Sequence, residues 1–310
     1  MKVLIAYDGS TCADAAVEGL KFAGFPNGTE ALVVTVAHEG WPSRKDSIVG
    51  HDSAESAWQA GVKEAAALAD HAKLRIQLTF PDWKVSSEPL WGDPLKILLK
   101  TIEHWKPDVL VIGSHGRGAV GRMVLGSVSL ELVHHAPCTV RVSRAHADYA
   151  AASARILVAT DGSAHAGAAI QEIARRHWPE ESEVKVLCIL QTLVPAGTGM
   201  HSLESSTFAT EPAFQVIDRS DKQEQTRIET VARSSVATLS NAGLAAHAEV
   251  IEGNPPEEIV KRAQIWDAGT VFVGARGLGT LERILLGSAS TAAVTHCHCT
   301  VEVVRPRPQL

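Results

Sequence analysis

Two glycine patterns hold the residues best suited to chemistry in this chain of 310 residues. Both follow an apolar run and have the form G-x2-G-x9-G-S: Gly113, Gly116, Gly126 and Ser127 in VLVIGSHGRGAVGRMVLGSVS, and Gly274, Gly277, Gly287 and Ser288 in TVFVGARGLGTLERILLGSAS. Glycine lets the main chain turn sharply and approach a ligand without a Cβ in the way. A helix that opens at Gly-Ser offers free N–H groups and a favourable dipole to an anion. The patterns therefore predict a phosphate-binding loop in each half of the chain.

An acidic residue is expected to face each loop. Asp8 follows the strand-like run LIAY, and Asp161 follows LVAT. In doubly wound sheets, ligands bind at the carboxyl ends of strands where the strand order reverses. If the first and fourth strands are neighbours, each aspartate lies across a crevice from the glycines, where it suits a ribose or a purine. The combination predicts a mononucleotide pocket.

The chain contains the same domain twice. KVLIAYDGS recurs as RILVATDGS at an offset of 153 residues, and from Gly92 and Gly253 onward the offset is 161. Each copy alternates apolar strands with amphipathic helices, which indicates parallel sheets covered on both faces. We predict two doubly wound α/β domains of the Rossmann-like kind, at residues 1–146 and 153–305.

Two better-known glycine loops and a simple turn fit these glycines less well. GRGAVG, residues 116–121, matches the dinucleotide fingerprint G-x-G-x-x-G, but it follows the fourth strand and the second copy reads GLGTLE. The chain has no G-x-x-x-x-G-K-[ST], so it is not a P-loop NTPase. Simple turns between strand and helix would not fix a nine-residue spacing twice.

These motifs resemble those of the universal stress protein family, whose usual form is close to GSHGRG…VLGSVS with an early strand ending in D-G-S. The likeness covers nearly the whole chain. It implies a five-stranded parallel sheet of order 3-2-1-4-5 in each domain, an adenine nucleotide hydrolase-like variant of the Rossmann-like fold. It also implies binding of ATP, or of AMP or ADP, with or without Mg²⁺. Pairing of the two domains through their fifth strands is expected, which allows a further homodimer.

The resemblance also assigns site residues. Asp8 and Asp161 would contact the ribose or adenine side, and main-chain groups of Val36 and Ile189 would meet the adenine edge. Ribose and phosphates would be held by Gly113, His115, Gly116, Arg117, Gly126, Ser127, Val128 and Ser129 in the first copy, and by Gly274, Arg276, Gly277, Gly287, Ser288, Ala289 and Ser290 in the second.

The two copies differ where charge matters. Arg117 is matched by Leu278, and His115 is matched by Arg276. We therefore predict two nucleotide sites of unequal affinity.

No catalytic or metal-binding residues are predicted. The sequence has no H-E-x-x-H, no G-x-S-x-G and no Ser-His-Asp order repeated in both copies. THCHCT, residues 295–300, packs soft ligands together, but adjacent ligands rarely converge on one metal, and Cys299 matches Cys138 as a core residue. A regulatory nucleotide-binding module, with at most slow ATP hydrolysis, fits best. The alternatives are a weak ATPase or nucleotidyl-transfer protein using Asp8 and Mg²⁺, and a nucleotide-free assembly module.

Bulk properties narrow the setting. A formal charge of -6 disfavours general nucleic-acid binding, and no apolar run reaches the roughly 20 residues that span a bilayer. The five cysteines do not suggest a disulfide framework, and the amino-terminal apolar run is too short for a signal peptide. We expect a cytosolic protein that signals nucleotide occupancy to a protein partner, whose identity the sequence does not reveal.

Overall fold

The computed structural model describes residues 1–39, 41, 54–116, 125–144, 153–191, 211–278 and 286–306, with the backbone alone at 54–57 and 211–221. Arg117 lies outside these ranges, as do residues 117–124 and 279–285 of the two nine-residue segments.

Strands and helices alternate along both halves. The first half comprises β1 (Lys2–Ala6), α1 (Thr11–Glu18), a short 3-10 helix (Gly19–Phe22), β2 (Glu30–Ala37), α2 (Ala54–Thr79), β3 (Lys84–Trp91), α3 (Pro94–Trp105), β4 (Val109–Gly113), α4 (Ser127–His135) and β5 (Thr139–Ser143). The second comprises β6 (Arg155–Ala159), α5 (Ala164–Ala174), β7 (Glu183–Leu190), α6 (Glu211–Asn241), β8 (Ala245–Glu252), α7 (Pro255–Ile265), β9 (Thr270–Gly274), α8 (Ser288–His296) and β10 (Thr300–Val304). Within the described residues, no helix is both long enough and apolar enough to cross a bilayer.

The strand order confirms the predicted fold class. The first half has the order β3-β2-β1-β4-β5 with parallel neighbours, and the second has the equivalent order β8-β7-β6-β9-β10. The two five-stranded sheets join edge to edge, because β5 and β10 pair antiparallel. The result is one ten-stranded sheet with a pseudo-twofold axis between β5 and β10.

Alternation along the two joining strands separates two kinds of contact. Val140 and Val142 of β5 are opposite Val303 and Val301 of β10 in the register. These four valines belong to a hydrophobic cluster that is continuous across both halves, on the face covered by α3, α4, α7 and α8. Burial of this shared apolar surface stabilises the junction between the halves.

A network of buried charges occupies the other face of the junction. Glu302 of β10 is opposite Arg141 of β5 and accepts a hydrogen bond from its Nη1 at 2.5 Å. Arg176, which follows α5, donates to both oxygens of Glu302, at 2.8 and 2.6 Å. The same arginines reach into the first half, where Arg176 donates to the Ala23 carbonyl and Arg141 to the Gly19 carbonyl. The two halves are therefore tied together by charge-assisted hydrogen bonds as well as by apolar contact.

The ionisation of Glu302 depends on its two arginines. Burial acts to raise the pKa of its carboxyl, but Arg176 and Arg141 outweigh that effect and hold the pKa below its ordinary value. Glu302 is fully buried. Removing its charge would leave two guanidinium groups without their shared counter-charge.

Glu302→Gln should lower the free energy of unfolding by about 3–5 kcal/mol at pH 7, the usual cost of breaking a buried ion pair from one side. Because the pKa of Glu302 is depressed in the folded state, this stabilisation is present above its unfolded pKa of about 4.3 and is lost as the pH falls through the lower folded value. Urea unfolding at pH 7 and at pH 3 to 4 measures both effects.

Glu18→Gln is the matched control, because Glu18 pairs with Arg75 at 3.1 Å at the protein surface. Its effect should stay below about 1 kcal/mol. Equal losses from the two substitutions at pH 7 would show that the buried network adds no stability.

Candidate functional site

The first aspartate lies beside the first glycine loop. Because β1 and β4 are hydrogen-bonded neighbours, their carboxyl ends meet at one edge of the sheet. Asp8 Oδ1 accepts the amide of Ser10 at 3.0 Å, and a Cβ built on Gly116 would stand 3.0 Å from Asp8 Oδ2. The structure thus brings Asp8 and the loop together, as expected from the strand order.

In the second half, the aspartate holds the loop by hydrogen bonds. Asp161 Oδ1 accepts the amide of Ser163 at 2.9 Å, and Oδ2 accepts the amide of Leu278 at 2.8 Å. A Cβ on Gly277 would come within 2.7 Å of Asp161 Oδ2. The carboxylate therefore fixes the glycine loop against the turn after β6, a role that the sequence did not predict.

The first glycine of each motif is required by the protein itself. A Cβ on Gly274 would lie 2.6 Å from the Ala166 amide nitrogen and 2.6 Å from the His165 carbonyl carbon, and one on Gly113 would lie 2.9 Å from the carbonyl carbon of Cys12. These atoms belong to the opening of α5 and α1. The expectation that these glycines serve ligand approach is corrected, since the approaching group is main chain of the next helix.

Two serines expected to offer hydroxyl donors use them internally. Ser129 Oγ donates to the Gly113 carbonyl at 2.9 Å, and Ser290 Oγ donates to the Gly274 carbonyl at 2.5 Å. A hydroxyl has one proton to donate. These side chains therefore fasten the helix to the end of the fourth strand, and only their main-chain amides remain as donors for a ligand.

The third glycine of each motif begins a helix that has no side-chain cap. Gly126 and Gly287 are the N-cap residues of α4 and α8, whereas α1 and α5 are capped by the Ser10 and Ser163 hydroxyls. The first intrahelical bond of α4 runs from Leu130 N to the Gly126 carbonyl at 2.9 Å, and α8 repeats it. The three amides before that bond have no acceptor within an α-helix.

Neither backbone nor packing requires glycine at these two helix starts. Gly126 has φ −62° and Gly287 has φ −76°, values open to any residue. A Cβ would meet protein atoms only at ordinary distances, 3.5 Å or more at Gly126 and 3.6 Å or more at Gly287. Glycine here leaves open space in front of the helix-start amides.

A cavity of about 290 Å³ joins these features in the second half. Its polar end is formed by Asp161, Gly274, Arg276, Gly277, Leu278 and the segment Gly287, Ser288, Ala289 and Ser290. Its apolar end is formed by Leu187, Ile189, Ile228, Pro255 and Ile259. An apolar slot that continues into a set of main-chain donors suits a flat, weakly polar ring linked to an anionic group. In the first half, Val36 at the equivalent place to Ile189 is buried in β2.

Two further residues line this cavity without having been predicted. Arg227 of α6 donates from Nη1 to the Asp161 carbonyl at 2.9 Å and forms a paired contact with Glu224 at 2.8 and 2.7 Å. The hydrogen bond from Arg227 holds the pKa of Glu224 below its ordinary value, although burial opposes the shift. Their helical i, i+3 spacing is the only signal in the sequence, and it is common on exposed helices.

His115 and Arg276 occupy equivalent places but differ in chemistry. His115 Nδ1 lies 3.0 Å from Ser114 Oγ, and its Nε2 is buried with no hydrogen-bond partner among the described residues. Burial and, to a smaller extent, the charge of Arg144 lower the pKa of His115. A neutral imidazole thus stands in the first half where a guanidinium stands in the second.

The cysteines of THCHCT are core residues. Cys297 and Cys299 are buried, with exposed fractions of 2% and 0%. Across the described ranges, no group of three or more His, Cys, Asp or Glu residues is arranged to hold a metal ion.

Residues 1–144 and 153–305 each match the model of the universal stress protein family. The chain belongs to this family and carries its domain twice, as its motifs suggested. The universal stress protein Rv2005c of Mycobacterium tuberculosis H37Rv is 26% identical over 98% of this chain and 96% of its own length. The universal stress protein Sll1388 of Synechocystis is 32% identical over 49% of this chain and 97% of its own length. A crystal structure of a universal stress protein from Archaeoglobus fulgidus shares the fold, with a TM-score of 0.64 at 18% identity over 98% of both chains.

Gly274→Ala should lower the free energy of unfolding by about 1–3 kcal/mol, because its methyl group would displace the opening turn of α5. Gly167→Ala is the matched control within that helix, since a Cβ there meets nothing within 4 Å. It should raise stability by about 0.5–1 kcal/mol, the usual gain from replacing glycine in a helix. Urea unfolding of both variants decides the matter; a neutral Gly274→Ala would refute the packing role.

Proposed function

We propose that each half of this protein, taken as the domains 1–146 and 153–305, binds an adenine nucleotide, and that nucleotide occupancy is the signal it passes to a partner. The observation that carries the proposal is the pair of helix starts at Gly126 and Gly287. Each has main-chain amides without an intrahelical acceptor, facing open space, at a glycine that neither the backbone nor the packing requires. A phosphate at such a helix start gains hydrogen bonds and a favourable dipole.

The nucleoside would lie along the crevice toward β7 in the second half and β2 in the first. The apolar end of the second cavity, with Ile189 and Pro255, suits the faces of a purine ring. Asp161 would meet the ribose, since its remaining lone pairs can accept a hydroxyl while its oxygens keep the loop amide and the Ser163 amide. Asp8 would take the same place in the first half.

The two sites should differ in affinity for phosphate. Arg276 adds a permanent charge to the second site, whereas His115 in the first site is held toward its neutral form. Leu278 replaces Arg117 and is 56% exposed, so it contributes no charge to the second site. The polyphosphate of ATP, with or without Mg²⁺, would therefore feel different fields in the two halves, whereas AMP would discriminate less.

The test is titration calorimetry with ATP, ADP and AMP on the full chain and on Gly126→Ala and Gly287→Ala. The unaltered protein should bind two nucleotides with unequal affinity. Each substitution places a methyl group in front of one set of amides and should weaken one site by about tenfold or more, a loss of at least about 1.4 kcal/mol in binding. Stability should fall by no more than about 1 kcal/mol, because alanine is only a poorer helix cap.

Gly167→Ala serves again as the control and should leave both affinities unchanged. The proposal fails if the unaltered chain binds none of the three nucleotides, or if both loop variants bind as the unaltered chain does. Loss of both sites from a single substitution would instead place the two nucleotides in one shared pocket.

A further inference from the structure

A separate cavity of about 420 Å³ lies where the two halves meet. The first half contributes His134 and His135 from the last turn of α4. The second half contributes His165 from the first turn of α5, Arg276 from the glycine loop and Arg305 from the residues after β10. Two prolines and an alanine complete the described part of its wall. Five nitrogen-rich side chains from four elements therefore face one space.

The wall of this junction cavity is cationic. Among its described lining residues none is acidic, and the two arginines keep their charge at all ordinary pH values. Burial and the nearby charge of Arg276 both lower the pKa of Arg305, and burial, Arg276 and Arg305 lower that of His165. The acidic groups that act on the lining stand behind it: Glu131 pairs with His135 at 3.2 Å, and Asp161 acts on His165 from the nucleotide side. Like charges that oppose one another across a cavity are relieved by an anion between them.

One of the two arginines is already fixed in place. Arg305 Nη2 donates to the carbonyls of Val133 and His134 at 2.7 and 3.1 Å, at the carboxyl end of α4. These bonds remove most of the side chain's rotational freedom before any ligand arrives. A pre-ordered guanidinium loses less entropy on binding an oxyanion, which raises affinity.

We propose that the junction cavity binds an oxyanion of the phosphate class between Arg276 and Arg305. Guanidinium groups pair with phosphate oxygens two at a time, and imidazoles can add further donors. The volume is large enough for two linked phosphates as well as for one. Arg276 also lines the proposed nucleotide cavity, so the ligand could be a free phosphate or pyrophosphate, or the terminal phosphates of a nucleotide bound next door. Binding of a free oxyanion does not depend on the proposed nucleotide function.

The pseudo-twofold axis supplies an internal comparison. At the equivalent junction on the other side, Cys12 replaces His165 and His115 replaces Arg276. Arg144, the counterpart of Arg305, donates to the carbonyls of Val294, Thr295 and Cys299. That junction therefore has one permanent charge from these positions instead of two, and we expect it to bind the oxyanion far more weakly.

Pyrophosphate, titrated calorimetrically into the nucleotide-free full chain at low salt, is the probe. His135→Glu puts a negative charge on the wall of the cavity, at an exposed position away from the nucleotide cavity, and should weaken pyrophosphate binding by about tenfold or more. His296→Glu is the matched control, because His296 is the exposed counterpart of His135 on α8 and carries the same change at the other junction. It should leave pyrophosphate affinity unchanged.

Arg276→Gln provides a second variant and should also weaken pyrophosphate binding by about tenfold, the loss of one charged hydrogen-bonding partner. AMP affinity, measured in the same two histidine variants, should be unchanged, which separates this site from the nucleotide site. The proposal is overturned if the unaltered chain binds no pyrophosphate, or if His135→Glu and His296→Glu bind it equally well. Competition then identifies the source: displacement by ATP but not by AMP assigns the cavity to nucleotide phosphates, and joint binding of ATP and pyrophosphate assigns it to a free oxyanion.

Discussion

Buried charge at the line between the two halves is the constraint on which the rest of the structure depends. Arg141 and Glu302 occupy the same position in the two copies of the domain, yet they carry opposite charges. Two first halves paired through β5 would bury arginine against arginine, and two second halves paired through β10 would bury glutamate against glutamate. Both arrangements carry the cost of unpaired charge in a low dielectric. Pairing of one half with the other half satisfies the charges, and the valines on the opposite face then align. The ten-stranded sheet and the junction cavity both follow from that choice.

Main-chain chemistry explains why the two sites stay alike while their side chains diverge. The amides before the first bond of α4 and α8, the glycines that meet the neighbouring helix and the serine hydroxyls that fasten the helix are the same in both halves. Side chains around them differ, as with His115 and Arg276. A site built from amides tolerates such changes, because the donors are fixed by helix geometry and not by residue type. The duplicated chain can therefore keep two similar cradles while giving each a different field.

Much of the fold could be predicted from the sequence, because its signals are local and repeated. Apolar strands alternating with amphipathic helices, and one glycine spacing found twice, were enough for the doubly wound class and the strand order. The site was less predictable, because its details depend on contacts between distant segments. Asp161 meets the Leu278 amide 117 residues away, and Gly274 is dictated by the backbone of α5. The direction of the Ser129 hydroxyl is a rotamer choice that only the packed structure reveals. Arg227 carries no motif at all.

The short helices α4 and α8 link the two halves in a way that neither copy shows alone. Arg305 of the second half donates to carbonyls at the carboxyl end of α4, and Arg144 of the first half does the same at α8. A cation at the carboxyl end and an anion at the amino end are both favourable to a helix dipole. In each short helix, the proposed phosphate and the arginine of the other half therefore act on opposite ends of the same nine residues. Ligand binding in one half is felt at a contact made by the other half, and by linkage a change at that contact alters the affinity for ligand. The coupling needs no large movement, since two rigid turns of helix separate the ligand from the junction.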